Sequence, residues 1–584
     1  MGAIIWQILS SGLQILRTDY PILLIVALTS ILPFGLWVAL MLFRYAAVRD
    51  AAVLFSGGLC GGIVLDALLS FVSVIIFPAA WLPAVFWGTA ILLWGGNIML
   101  FVRWRFMPEF SLAFWGLLVM FVALLIIRLA FVIDLFLPLY TDSVEHYTII
   151  QDLVTGRIPP HSYYNLAAFP QVYYHYGYHS LITRQVVLGL FEPARVMLIL
   201  GQLYLVVTAM GLYFSVALFT HSRLASFFAA LAAGILWAMP DYAINWGKYP
   251  AVTVGVALPF FMGVSALYLQ SNNRQHNRLI LGLALLSGVG CVLLHSRMTI
   301  ILILLGIAYG FSSLIIRQKF LYPVAIIGLL LLLGVWYLST PVLFNESFEI
   351  YWRFGPAPLI IALVASVWCC FTHPRLVLIS FLTVALALVA MILPLPAFLE
   401  KTQGLIDRPF FQITLFVPLS VLTGVGLAEF AYRMKNRHLR IGLAVMMGIG
   451  LWLCAPLAQT TRPSSCCQLT GSDDLFVYQW LENQALSEDR ILISAYQSPF
   501  RLVESDGGAW VEALTLRSTE KIVNTIDFSS PDQQKALCAA GINYIYAGSS
   551  PYSFDRSALA AQPDIYVPEI QLPQVSLYRL NCDE

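Results

Sequence analysis

The sequence predicts a polytopic α-helical membrane protein, of about fourteen spans, that ends in a small extracytoplasmic α/β domain. Three observations predict it. Of the 584 residues, 60% are hydrophobic and 11% charged, with a mean hydropathy of +0.81, whereas a soluble domain carries about 25% charged residues. Runs of roughly 20 apolar residues, the length that crosses a hydrocarbon core, recur along the chain. From residue 459 those runs stop and shorter, β-branched and aromatic segments replace them.

The first residues, MGAIIWQILSSGLQILRTDY, lack the basic start of a signal peptide and a myristoylation motif, so they read as a retained interfacial or short buried segment. Expected spans then cover 21–43, 52–77, 81–102, 112–137, 195–219, 224–239, 251–269, 279–294, 299–316, 322–339, 357–372, 376–392, 410–429 and 441–458. Within them only Arg128 and Asp134 stand out as intramembrane charges; a buried Arg is costly unless paired, so a structural pair of these two within the bundle is one reading. The formal net charge of +1 points to no polyanionic partner and gives nucleic-acid binding no electrostatic support.

Basic residues collect in alternate loops: RYAAVR (44–49), RWR (103–105), HSR (221–223), SNNRQHNR (271–278), RQK (317–319), HPR (373–375) and YRMKNRHLR (432–440). The positive-inside rule places that set in the cytoplasm. Both termini, the segment TDSVEHY and the C-terminal domain 459–584 then lie outside a plasma (inner) membrane. In that domain ILISAY, INYIYAG and VSLYRL read as strands, and DDLFVYQWLENQ and PDQQKALCAAG as helices. Its four cysteines, Cys466, Cys467, Cys538 and Cys582, can form two disulfides outside the cytosol, with three pairings open.

The segment LYTDSVEHYTII (139–150) leaves the fourth span and gathers Asp142, Glu145 and His146. Asp142 with Glu145 three residues on is a capping-box spacing, and Val144, Tyr147, Ile150 and Leu153 continue at helical period. A short amphipathic helix on the outer surface is expected over 143–155. Capping alone accounts for Asp142 but not for its neighbours. Next comes HSYYNLAAFPQVYYHYGYHS (161–180), in which His175 and His179 flank Tyr176 at a spacing that shares a helix face and could hold a metal with a third ligand. Outer loops also carry Lys248, His295, Arg297, Arg353, Lys401 and Arg408, against the positive-inside bias. An anion held at the outer face would explain them, through the bidentate fork of arginine, as would scattered ion pairs. In ESDGGAWVEAL (504–514), Trp510 reads as either a core residue or a sugar platform.

TDSVEHY resembles the Asp-bearing first-loop motif of the GT-C class of membrane glycosyltransferases, such as the dolichyl-phosphate-mannose mannosyltransferase-like enzymes. DRPFFQITLFVPLSVLTGVGLAE (407–429) resembles their Arg-containing loop and Pro-bearing helix, and DLFVYQWLEN (474–483) with GINYIYAG (541–548) is similar to the tail domain of many bacterial members. The resemblance covers 115–584 as architecture. One departure is that four spans precede the acidic loop, where family members have one, so 1–111 reads as an N-terminal addition before a core at 112–458 with its external loop at 138–194.

The resemblance implies sugar transfer from a polyprenyl-phosphate donor to a lipid, glycan or protein acceptor, within the cell envelope and among membrane lipids. It implies Asp142 as base, with Glu145 orienting the acceptor or a divalent ion (Mg or Mn), or Glu145 as base in its place. Arg297, Arg408 and Lys248 would hold the donor phosphate, and His146, His175, Tyr176, His179 and His295 would line the sugar or acceptor pocket. Two rivals remain. One is an O-antigen-ligase- or polymerase-like enzyme that relies on external Arg and His. The other is a transporter or flippase of lipid-linked glycans, which would place charges at the bilayer midplane.

Overall fold

The computed structural model describes residues 2–158, 175–270, 274–317, 321–392, 405–498 and 502–582. Lys401 and most of the aromatic segment, 161–174, lie outside them. Each expected span returns as a helix. Among the described residues, nine are long and apolar enough to cross a membrane: Tyr20–Tyr45, Ala51–Ile76, Ala79–Trp104, Leu112–Val132, Pro193–Thr220, Tyr249–Gln270, Met298–Arg317, Pro374–Ile392 and Arg408–Tyr432. They become ten if Pro341–Trp352 and Ala357–Thr372, bent by 99° at their break, form one span. Apolarity alone suggested fourteen. Where helices end decides the length, and Arg223–Leu236 and Arg278–Leu294 end too soon.

The contacts divide the chain into two compact units. The first comprises Met1–Ile133, Ile150–Ile244 and Lys248–Arg462; the second comprises Asp134–Ile149, Asn245–Gly247 and Pro463–Glu584. The sheet-bearing unit therefore takes in two short pieces that the sequence had allotted to the membrane core.

In the first unit Pro193–Thr220 is the central helix, buried on all sides along most of its length and packed on Tyr249–Gln270. The N-terminal helix Gly2–Thr18 seats Ile8 against Ile127 and Ala130. The helix Gly177–Gly189 is polar yet wholly interior: His179, Ser180, Thr183, Arg184 and Gln185 have no solvent exposure. Arg184 meets Asp66 at 3.3 Å, donates to the carbonyls of Thr29 and Phe86, and sits over the rings of Phe34 and Phe86. Ser30 and Ser70 donate to the Asp66 carboxylate.

This pair corrects the sequence reading, which had passed over Asp66 although it stands alone in an otherwise uncharged apolar run. The other intramembrane pairing also differs. Arg128 pairs with Asp241 at 2.6 Å and donates to the carbonyl and hydroxyl of Thr460, while Asp134 is exposed.

The second unit holds strands β1 (Arg490–Gln497), β2 (Leu502–Glu504), β3 (Ser518–Val523), β4 (Ile542–Ala547), β5 (Tyr566–Gln571) and β6 (Ser576–Leu580). The sheet order is β2-β1-β4-β6-β5, with β3 also on β1. Strands β1, β3 and β4 run parallel; β2, β6 and β5 pair antiparallel with their neighbours. The sequence pointed to β1, β4 and β6. It missed the three-residue β2, β3 with its exposed Glu520, and the proline-bearing β5, whose patterns are weak. Leu492, Ile545, Tyr566 and Tyr578 centre the core. Of the pairings left open, the structure joins Cys538 to Cys582 and Cys466 to its neighbour Cys467.

Removing one member of a buried ion pair leaves the other charge stranded, at a cost of about 3–5 kcal/mol, whereas replacing both by apolar residues is often tolerated. Asp66→Leu is therefore expected to lower the thermal midpoint in detergent sharply, and Asp66→Leu with Arg184→Met to recover most of the loss. Cys538 and Cys582 lie 44 residues apart, and closing a loop of that size restricts the unfolded chain by about 4 kcal/mol. Replacing both by serine should open β4 and β6 to proteolysis at lower denaturant.

Candidate active site

The predicted residues divide between the two units. Asp142, Glu145 and His146 belong to the sheet-bearing one, at the start of the helix Thr141–Thr155. Tyr140 leads in with a left-handed φ of +65°, its N–H donated to Cys467 O at 2.9 Å and its hydroxyl 3.4 Å from that of Tyr496. Asp142 then stands in the first turn, where the partial positive charge of the helix end favours a carboxylate. It is 7% exposed, His146 is buried, and Glu145 one turn on is half-buried. The expected surface-lying helix is thus corrected: Ile149, Ile150 and Leu153 are interior as well.

Gly247 (φ +65°) explains how the second short piece joins this unit. A side chain there would bring its Cβ to 2.6 Å from Ser143 Oγ and 2.8 Å from Ser143 N, so only glycine lets the two strands of chain approach. Tyr147 packs its ring edge-on to Trp510 at 5.4 Å. Trp510 is fully buried, which settles it as a core residue rather than a sugar platform.

Two buried carboxylates brace the same unit. Asp474 accepts from the hydroxyl of Tyr546 and from Gly471 N. Asp506 accepts from Gly508 N at 2.9 Å, Gly548 N at 3.0 Å and the Ser553 hydroxyl. Burial outweighs these hydrogen bonds in both: it pushes Asp474 upward and Asp506 from 3.8 to about 6.

The rest of the predicted set belongs to the membrane unit. Gly177 opens the polar helix against Leu293, so close that a Cβ would lie 2.8 Å from Leu293 O. That contact sets His175, Tyr176 and His179 beside the turn that carries His295 and Arg297. The His175 and His295 rings stack at 4.4 Å, and His295 stacks at 4.4 Å on Phe410. His179 meets the rings of Tyr176 and Tyr178. Burial, with the like charges of His179, Arg297 and Lys248 near it, holds His175 well below its usual range and therefore neutral.

Each predicted arginine has a carboxylate. Arg297 Nη1 lies 2.8 Å from Asp407 Oδ2, and Arg408 pairs with Glu346. Asp407 also caps Arg408–Tyr432 by accepting from Phe410 N at 2.9 Å. Sequence reasoning missed Asp407, Glu346 and Phe410 as parts of the cluster. Their signals were faint: one acid beside a cation, one acid in a loop, one phenylalanine among many. Among the described residues, no group of three or more His, Cys, Asp or Glu side chains is arranged to hold a metal ion.

No family model matches the chain, and no curated protein sequence does. Solved structures that align with it include the oligosaccharyltransferase AglB of the archaeon Archaeoglobus fulgidus, in complex with an inhibitory peptide and a dolichol-phosphate. That match has 11% identity and a TM-score of 0.39, covering 74% of this chain and 69% of that one. The Archaeoglobus fulgidus oligosaccharyltransferase in complex with Zn and sulfate aligns at 12% identity and TM-score 0.39, over 74% and 67% of the two chains. The mycobacterial arabinofuranosyltransferase AftD aligns at 11% and 0.38, over 80% of this chain and 42% of that one. At such scores the likeness is loose and bears no weight for the site.

The folded chain holds on Asp506 a proton that the unfolded chain releases between pH 3.8 and about 6. The group's contribution to stability is full below that window and is lost as pH rises through it, by up to about 1.4 kcal/mol per pH unit. Tryptophan fluorescence during denaturant unfolding should show the sheet-bearing unit weakening from pH 4 to 6, and Asp506→Asn should flatten that slope.

Proposed function

We propose that the chain is an integral-membrane glycosyltransferase that moves a sugar from a polyprenyl-phosphate donor to an extracytoplasmic lipid, glycan or protein acceptor. What carries this is the cluster of Lys248, Arg297 and Arg408 with His175, His179 and His295 at the ends of membrane helices. Its arginines are offset by Asp407 and Glu346, and His295 stacks between His175 and Phe410. A phosphate monoester or diester can compete with a carboxylate for the arginine fork, since its charge and spacing match the same donors. In the proposed roles Arg297, Arg408 and Lys248 receive the donor phosphate. His146, His175, Tyr176, His179 and His295 line the sugar or acceptor.

In the transfer step the acceptor hydroxyl attacks the anomeric carbon and Asp142 takes the hydroxyl proton, with Glu145 orienting the acceptor. The bond from that carbon to the phosphate oxygen breaks, and polyprenyl phosphate leaves with the electron pair. Positioned proton transfer contributes about 10²–10⁴-fold. The cations stabilise charge that grows on the leaving oxygen.

One observation favours a second reading. The cation–histidine cluster is complete within the membrane unit without Asp142. An O-antigen-ligase-like enzyme relying on Arg and His would use that cluster alone.

Purified protein supplied with labelled polyprenyl-phosphate sugars should consume donor. Asp142→Asn should cut transfer by at least ~10²-fold at unchanged donor binding, while Arg408→Ala should raise the donor KM about tenfold. Full activity of Asp142→Asn would move the assignment to the second reading. Absence of turnover with every donor would remove both.

A further inference from the structure

One cavity in the membrane unit lies outside the roles proposed above. It is enclosed by Pro193–Thr220, Tyr249–Gln270, Met298–Arg317, Pro374–Ile392 and Arg408–Tyr432 and measures about 460 Å³. Along Pro374–Ile392 its wall runs from Pro374 to Ala387, about 20 Å at the rise of an α-helix. Leu258, Met262, Leu305, Ile379 and Val384 line its depth, where water finds few partners.

Its two ends differ. Phe411 marks the end nearer Arg408 and the cation cluster, whereas Thr220, Gln270, His373 and Arg375 stand at the other. His373 Nε2 lies 3.1 Å from Glu429 Oε1, and Glu429 is about 30 Å from Arg408 along their shared helix. A hydrocarbon core is about 30 Å thick, so the ends face opposite sides of the membrane. Arg375 belongs to HPR (373–375), one of the loops that charge alternation assigns to the cytoplasm.

Arg375 is exposed, its guanidinium sits 4.5 Å over the Tyr309 ring, and its Nη2 donates to Ser313 Oγ at 2.8 Å. These contacts hold the side chain at the mouth and leave most of its donors open. Among the described residues no carboxylate pairs with it, whereas Arg297 and Arg408 each have one.

A cation without a counter-ion at the mouth of an apolar slot selects the ligand class. A neutral lipid would leave the guanidinium unanswered, and a soluble anion would leave the slot unfilled. A phospholipid of net negative charge answers both. Its phosphodiester meets the arginine fork, and one acyl chain follows the slot to the bilayer midplane, about 15 Å away. Basic pockets between membrane helices bind anionic head groups in this way. The polyprenyl donor is disfavoured, because its phosphate is assigned to Arg408 at the far end.

We propose that this cavity holds an anionic phospholipid from the leaflet on the Arg375 side, with Arg375 on its phosphodiester and an acyl chain along Pro374–Ile392. The site stands whether or not the chain transfers sugar.

The test reconstitutes full-length protein in phosphatidylcholine nanodiscs with stepwise phosphatidylglycerol of the same acyl chains. Retained lipid is read by native mass spectrometry after release into detergent, and stability by the thermal midpoint. Phosphatidylglycerol should be retained about tenfold over phosphatidylcholine and should raise the midpoint. Arg375→Gln, an exposed substitution that spares the fold, should abolish the preference, and Arg375→Lys should keep part of it. Thr383→Trp, which fills the slot, should remove both lipids. Equal retention of the two lipids, a preference that survives Arg375→Gln, or retention indifferent to Thr383→Trp overturns the proposal. Displacement of the lipid by polyprenyl phosphate, blocked by Arg408→Ala, overturns it in favour of the donor's own chain. Stabilisation by inorganic phosphate in place of lipid, lost in Arg375→Gln, overturns it in favour of a simple anion site.

Discussion

A guanidinium that never meets water must carry its counter-ion with it. Within the membrane unit this requirement is met twice, by Arg184 with Asp66 and by Arg128 with Asp241. Hydrocarbon offers no hydrogen bonds, so an unpaired charge there costs several kcal/mol, and a paired one costs less as more of its donors find acceptors. The surroundings supply part of these: Thr29 and Phe86 accept from Arg184, Thr460 accepts from Arg128, and Ser30 and Ser70 donate to the Asp66 carboxylate, while among the described residues Nε of each arginine finds no acceptor. Because Arg184 sits in the polar helix Gly177–Gly189, its pairing fixes where that helix lies. His179, on the same helix, inherits the position.

The cation cluster follows from that placement. Gly177 lets the polar helix touch Leu293, and the next turn presents His295 and Arg297. Ring stacking through His175, His295 and Phe410 ties three separated segments together at apolar contact distances. Burial keeps His175 neutral, so positive charge there is carried by Lys248, Arg297 and Arg408. Asp407 and Glu346 balance the arginines, in pairs that are half-buried at Arg297 and open to solvent at Arg408.

The carboxylate pair is organised differently. Asp142 and Glu145 stand on a helix whose first turns cluster with the sheet-bearing unit, through Tyr140 on Cys467, Ser143 under Gly247 and Tyr147 on Trp510. The C-terminal domain is thus more than a tail: it supplies the packing that holds the acidic helix start. Its own frame depends on two buried aspartates, and Asp506 also sets the loop after β4 through Gly548 and Ser553.

Local pattern alone determined a good deal. Apolar runs predicted helices at every expected span, because hydrocarbon leaves a backbone few other ways to satisfy its polar groups. The strands at β1, β4 and β6 were legible, since each depends on residues near one another in the chain, and the same local reading named Asp142, Arg297, Arg408 and the histidines as candidates. Tertiary structure decided what depends on distant partners. It chose Asp66 for Arg184, Asp241 for Arg128, Glu346 for Arg408 and Cys582 for Cys538. It buried the helix that amphipathic spacing had laid on the surface, and it moved that helix's start into the sheet-bearing unit. Helical period records which face is apolar; it carries no record of what that face, or a charge within it, will meet across the fold.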